Sequence, residues 1–172
     1  MSDKITGVIL AGGLGRRMGG IDKGLLELRG QTMVHRVIER LAPQVDELLI
    51  NANRNVERYA AFGHRVVPDR IPDYAGPLAG LHAALSAATQ PLVATAPCDS
   101  PFLPADLVSR LLSALTTTNA DLAVARTFDQ PHPVLVRPAE RRHVERGHAR
   151  VLEGLHPVAH EPLVADQRHL LQ

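Results

Sequence analysis

What most limits the fold open to this chain is a series of short apolar stretches. Each ends in polar or glycine-rich residues, and most are separated by segments of helical spacing. Ile5 to Ala11 reads as a strand stopped by Gly12-Gly13, Glu47 to Asn51 as a second, and Arg65 to Pro68 as a third beside Asp69. Pro91 to Ala96 is a fourth, apolar without alternation as expected for a strand buried on both faces, and it runs into Pro97-Cys98-Asp99-Ser100-Pro101. Further strands are predicted at Leu122 to Arg126 and at Pro133 to Val136. Between them, Thr32 is placed to cap a helix to about Leu41, with Met33, Val34, Val37, Ile38 and Leu41 on one face. Shorter helical stretches are predicted at Val56 to Ala61 and Gly80 to Ala88. Another opens with Pro104 at its first position and runs to about Leu115. Strands alternating with helices through residue 126 predict an α/β fold with a mostly parallel sheet and right-handed crossovers. The 172 residues show no repeat or linker, so one domain over 1–172 is expected.

Composition narrows the function classes. A formal net charge of +1 gives no global field for nucleic acid or an anionic membrane. Three Phe, two Tyr and no Trp leave few platforms for stacking bases. No apolar run approaches the roughly 18–20 residues of a spanning helix, and the N-terminus lacks a leader pattern. A cytoplasmic protein with no nucleic-acid or membrane partner is the expectation. Cys98, the only cysteine, excludes an intramolecular disulfide and a Cys-rich zinc site. It reads as a small buried residue rather than a nucleophile. His143 and His148, five apart, would not share a helix face well, and Pro157 disfavours a continuous helix between His156 and His160.

In parallel sheets, ligands bind beyond the carboxyl ends of the strands, so polar segments distant in sequence converge on one rim. The first segment, Gly12-Gly13-Leu14-Gly15-Arg16-Arg17-Met18-Gly19-Gly20-Ile21-Asp22-Lys23, combines five glycines with three cations directly after a strand. Glycines let backbone N–H groups approach a phosphate, and the cations match the charge of a triphosphate. The spacing is neither a P-loop nor a dinucleotide fingerprint. Lys23 stands out because the chain has only one other lysine, at position 4. Asp99 arrives alone at a strand tip, which suits Mg²⁺, an ion held by one or two carboxylates plus substrate phosphates and water. A turn or capping role for Asp99 is the alternative. Gly76-Pro77 fixes a turn ahead of Gly80, whose bare backbone could pack against a base or ribose. Asn51 and Asp69 suit a purine edge or a ribose hydroxyl, with plain turn residues as the alternative.

Taken together, Leu10-Ala11-Gly12-Gly13, Arg16-Arg17-Met18-Gly19-Gly20, Asp22-Lys23-Gly24, Asn51-Ala52-Asn53-Arg54, Gly76-Pro77-Leu78-Ala79-Gly80 and Pro97-Cys98-Asp99-Ser100-Pro101 resemble the molybdenum cofactor guanylyltransferases. The resemblance covers about residues 5–136. It implies a Rossmann-like three-layer nucleotidyltransferase fold that transfers GMP from GTP to molybdopterin, with Mg²⁺ as cofactor. It places Leu10, Ala11, Gly12, Gly13, Gly20, Lys23, Asn51, Asp69, Gly76, Pro77 and Asp99 at the GTP, with Asp99 also the Mg²⁺ ligand. Arg17, Lys23 and Asp99 are its implied catalytic residues. Molybdoenzyme chaperones and cofactor-insertion proteins are implied partners. Asp129-Gln130-Pro131-His132-Pro133-Val134 resembles the family's mid-chain His-Pro element. An Asn-x-Asn-Thr-Pro segment, found near the family's C-terminus, has no counterpart in 137–172, which reads as atypical. Cytidylyl- and sugar-nucleotidyltransferases share a looser version of the first motif, so a related transferase, or an adaptor that binds GTP without turnover, remains an alternative.

Overall fold

The computed structural model describes residues 3–13, 20–70, 77–127 and 130–136; of 77, 126, 127 and 130–134 it describes the backbone alone. Strands β1 (Ile5–Leu10), β4 (Glu47–Asn51), β5 (Arg65–Val67), β6 (Leu92–Pro97), β7 (Leu122–Thr127) and β8 (Gln130–Val136) form one sheet in the order β5-β4-β1-β6-β8-β7. β1 is parallel to both β4 and β6, and β4 to β5. β8 runs antiparallel to β6 and to β7. With only residues 128 and 129 between them, β7 and β8 have no room for a crossover, so they pair as a hairpin and the parallel rule ends there.

Alternation along the strands builds three layers. Ile5 and Ile9 of β1, Leu48 and Ile50 of β4, and Leu92, Ala94 and Ala96 of β6 face one core. Helices α1 (Met33–Leu41), α2 (Val56–Ala60) and α4 (Leu107–Thr117) close it with Val34, Val37, Leu41, Tyr59, Leu107, Val108, Leu111 and Leu115. Val8, Leu49 and Val93 point the other way, onto Ala83, Ala84, Leu85 and Ala87 of helix α3 (Pro77–Ala87). The period of two on each strand thus commits α1 and α4 to one face and α3 to the other.

Thr32 caps α1 as expected, its Oγ1 accepting from the His35 N–H at 3.4 Å. Two helix starts differ from expectation. α3 begins at Pro77, where the ring's fixed φ suits a first turn, so Gly80 lies inside the helix rather than at its opening. α4 begins at Leu107, because Pro104 belongs to the preceding turn, where its carbonyl accepts from Leu107 N at 3.3 Å and Gln44 Nε2 at 3.0 Å. A small hairpin of β2 (Glu27–Leu28) and β3 (Gln31–Thr32) was not anticipated. It turns through Arg29 and Gly30, both at positive φ (53° and 79°), the geometry of a tight two-residue hairpin.

From β1 the chain moves outward through β4 to β5 and then returns to β6 on the other side of β1. The order reverses between β1 and β6, so the carboxyl ends of those two strands border the crevice where such sheets take ligands.

Candidate functional site

Leu10 closes β1 between Asn51 of β4 and Pro97 of β6, which brings the three strand ends together. The pairing runs on past the strands: Ala11 N donates to Asn51 O at 2.7 Å and Cys98 N to Leu10 O at 3.1 Å. The loop carrying Gly12 and the loop carrying Asp99 therefore leave the sheet side by side.

On the β4 side, Asn51 is buried and its Nδ2 donates to Val67 O at 3.1 Å and Asp69 Oδ1 at 2.8 Å. Asn53 Nδ2 donates to Asp69 Oδ2 at 2.8 Å and to Gly12 O at 3.1 Å, while Asn53 Oδ1 accepts from Asp69 N at 2.8 Å. Both oxygens of Asp69 are thus fixed by amides, with lone pairs to spare on each. The amide of Asn51 leaves no room above it. A Cβ at Gly12 would lie 2.9 Å from its Oδ1, and one at Gly80 only 2.5 Å away. Gly80 is required by this close approach and not by a turn.

On the β6 side, Lys23 Nζ donates to Asp99 Oδ2 at 3.2 Å, with both side chains partly open to solvent. Lys23 starts a single 3₁₀ turn, Lys23–Leu25, and Asp22 before it is anchored from below. Tyr59 Oη donates to Asp22 Oδ1 at 2.6 Å and Asn55 Nδ2 to Asp22 Oδ2 at 2.8 Å. Tyr59 is fully buried; burial, and then the bond to Asp22, push its ionisation far above the ordinary phenol value, so it remains a donor. Gly24 packs on Tyr59 and Cys98, where an added Cβ would stand 2.5 Å and 3.2 Å from them. The Cys98 thiol is pushed up to about 12, first by burial and then by the nearby charges of Asp99 and Asp22. It is a packing residue, as the sequence predicts.

Of the residues singled out in the sequence, Leu10, Ala11, Gly12, Gly13, Asn51, Asp69, Lys23 and Asp99 gather at this edge of the sheet, with Gly20 bonded to the same rim through its carbonyl. Arg16, Arg17 and Gly76 lie outside the described residues, as do the side chain of Pro77, the His-Pro element's side chains, the four spaced histidines and the whole of 137–172. Asp22, Asn53, Arg54 and Tyr59 were not singled out as site residues, although Asn53 and Arg54 follow Asn51 in a familiar run. Tyr59 carries a weaker signal, a tyrosine on a short helix in a chain poor in aromatics.

The donor set suits a metal–nucleotide complex better than a protein-built metal cage. Among the described residues no group of three His, Cys, Asp or Glu could hold an ion. Asp99 offers one partly exposed carboxylate, the kind of ligand Mg²⁺ uses when phosphates and water complete its shell. No helix among the described residues is long and apolar enough to cross a membrane.

Residues 7–164 match the family described as MobA-like NTP transferase domain. A Shewanella putrefaciens (strain CN-32) protein named molybdenum cofactor guanylyltransferase is 53% identical over 143 residues, 82% of this chain and 73% of its own length. A Cupriavidus necator protein of the same name is 56% identical over 128 residues, 74% of this chain and 64% of its own length. Among solved structures, molybdopterin-guanine dinucleotide biosynthesis protein A from Archaeoglobus fulgidus superposes with a TM-score of 0.67 at 21% identity, covering 83% of this chain and 72% of that one. A nucleotidyl transferase from Methanothermobacter gives a TM-score of 0.65 at 22% identity, covering 83% and 75%. At those identities the structural matches speak for the fold, which is the nucleotidyltransferase fold.

Proposed function

The chain belongs to the MobA-like NTP transferase family, and on that premise we propose that it transfers GMP from GTP to molybdenum-molybdopterin, giving molybdopterin guanine dinucleotide and pyrophosphate. The observation that carries the reading is the meeting of Lys23 and Asp99 beside the Gly12 loop, at the strand ends where the order of the sheet reverses. The match over 7–164 supports treating 1–172 as a single nucleotidyltransferase domain. A related cytidylyl- or sugar-nucleotidyltransferase, and an adaptor without turnover, are not favoured by relatives named guanylyltransferase.

The chemistry is an in-line displacement. An oxygen of the acceptor's terminal phosphate bonds to the α-phosphorus of GTP, and the bond from that phosphorus to the β-bridging oxygen breaks, releasing pyrophosphate. The attacking oxygen is already ionised at neutral pH, so no general base is needed. The residues then act by positioning and by charge. The backbone around Gly12 and Gly13 admits the phosphates, and Lys23 and Arg17 offset the charge of the departing pyrophosphate. Asn51, Asp69 and Gly80 border the nucleoside, and the resemblance assigns Gly76 and Pro77 to the nucleotide as well. Asp99 would hold Mg²⁺, which when bound neutralises phosphate charge. The setting is cytoplasmic, with molybdoenzyme chaperones and insertion proteins downstream and neither nucleic acid nor membrane as partner.

Calorimetry with GTP, CTP and UTP, with and without Mg²⁺, tests the nucleotide. Pyrophosphate release with molybdopterin tests the transfer. Preference for Mg²⁺–GTP with acceptor-dependent pyrophosphate is expected. Preference for CTP or UTP, or binding without release, would reject the reading.

A further inference from the structure

Both flanks of the glycine-rich segment are held by one short stretch of chain. Asn53 Nδ2 donates to Gly12 O at 3.1 Å. Arg54 donates through Nη2 to Gly13 O at 3.4 Å and through Nη1 to Gly20 O at 3.1 Å. Asn55 and Tyr59 hold Asp22. The bonds from Arg54 have a distinctive layout, because Gly13 and Gly20 are the residues on either side of 14–19. One guanidinium therefore spans both attachment points of that segment.

We propose that Arg54 is a positioning residue for the triphosphate: by bonding the carbonyls of Gly13 and Gly20 with one planar group, it fixes the gap between two arms of described backbone, 12–13 and 20–22. Its effect on the nucleotide follows from two physical consequences. Tying both arms removes conformational freedom that phosphate binding would otherwise have to remove. Occupying the carbonyls of Gly12, Gly13 and Gly20 with donors also compensates oxygen dipoles that would repel a polyanion. Bridging two acceptors at once needs N–H groups in a rigid fork, which arginine has. A lysine carries the same charge as a single compact point and cannot reproduce the span.

The inference rests on the nucleotide reading above, and its test separates the two. GTP and guanosine affinities are measured by calorimetry for the wild type, Arg54→Lys and Arg54→Met, at a temperature well below every melting midpoint, together with KM for GTP and kcat. Both variants are expected to bind GTP roughly tenfold more weakly, the size of one lost charge-assisted contact. KM for GTP should rise with kcat less affected, and guanosine affinity should be unchanged. If Arg54→Lys binds GTP as the wild type does, charge alone suffices and the bridging role is wrong. Equal losses for GTP and guanosine would make Arg54 a general structural support and also overturn it. A wild type that binds no GTP would instead bring down the functional reading, and this inference with it.

Discussion

Lys23 and Asp99, 76 positions apart in the chain, meet at 3.2 Å beside the carboxyl ends of β1 and β6. Their side chains are 44% and 36% exposed, and an ion pair so open to solvent contributes only about 0–1 kcal/mol to stability. Folding gains little from the contact, and under the proposed function its value would lie in what the two charges do to a ligand between the loops. Asp99→Ala is expected to abolish Mg²⁺-dependent pyrophosphate release while the melting midpoint moves by no more than about 2–4 °C. Normal turnover in that variant would remove Asp99 from the reaction.

Lys23→Ala separates phosphate binding from nucleoside binding. Lys23 is the first residue of its 3₁₀ turn and its cation points toward Asp99 rather than toward Asn51 and Asp69. GTP affinity should fall while guanosine affinity holds. The barrier to transfer should rise by about 2.7–4 kcal/mol, by analogy with deleting one preorganised donor at an oxyanion. Equal weakening of both ligands in calorimetry would contradict a phosphate role.

Gly80→Ala tests the opposite wall. The new methyl would lie 2.5 Å from Asn51 Oδ1 and 3.2 Å from Leu10 Cδ2. Asn51 cannot yield cheaply, since its Nδ2 is committed to both Val67 O and Asp69 Oδ1. Helix α3 would itself favour alanine, by about 0.8–1 kcal/mol, so a loss of stability would come from crowding, first against the Asn51 amide and then against Leu10. Reduced guanosine and GTP affinity, together with a lower melting midpoint, is the expected result. Unimpaired binding of both ligands would show that Asn51 can be moved without consequence.

Legibility followed the range of the interaction. β1, β4 and β6 were readable because a buried parallel strand is a short apolar run, and α1 because Thr32 and five apolar residues share a local pattern. Lys23 and Asp99 were readable as candidates for one shared place because each follows a strand end in a segment of unusual composition, and the structure brings the two together. The β2–β3 hairpin has strands of two residues, too short for any alternation to register. The reversed direction of β8 depends on the length of a connection, not on its own residues. Asp22, Asn53, Arg54 and Tyr59 meet their partners across segments up to 41 positions apart, and no local spacing encodes such contacts.

Gly24→Ala probes the support beneath Lys23. A Cβ there would stand 2.5 Å from Tyr59 Oη and 3.2 Å from Cys98 Cβ and Sγ. The tyrosine is buried and bonded to Asp22, so the crowding cannot be relieved by a simple rotation. Overpacking of this kind costs about 1–3 kcal/mol, and the displaced Tyr59 would also give up its bond to Asp22, leaving Asn55 to hold that carboxylate. A lower melting midpoint with reduced kcat/KM is expected. Restoring room with the double variant Gly24→Ala/Cys98→Ala should recover little, because Tyr59 is the closer obstacle; full recovery would shift the cause to Cys98.

At the opposite edge of the sheet, Glu47 Oε2 accepts from Thr6 Oγ1 at 2.6 Å, Thr89 Oγ1 at 2.8 Å and Thr89 N at 3.1 Å. Burial alone would push its carboxyl up, but the bonds from Thr6 and Thr89, helped by the charge of Arg65, outweigh burial and hold it below the ordinary 4.5. A carboxyl held below its unfolded value stabilises the native state at pH above that value, and the stabilisation disappears as pH falls through the folded value. The melting midpoint of the wild type should therefore exceed that of Glu47→Gln by a constant margin near pH 7, and the margin should narrow once the pH drops below about 4.5. Turnover at neutral pH should be the same in both, since Glu47 starts β4 and the candidate site lies past its end at Asn51. A margin independent of pH would show that the shape of the side chain, and not its charge, ties β1, β4 and the entry to β6 together.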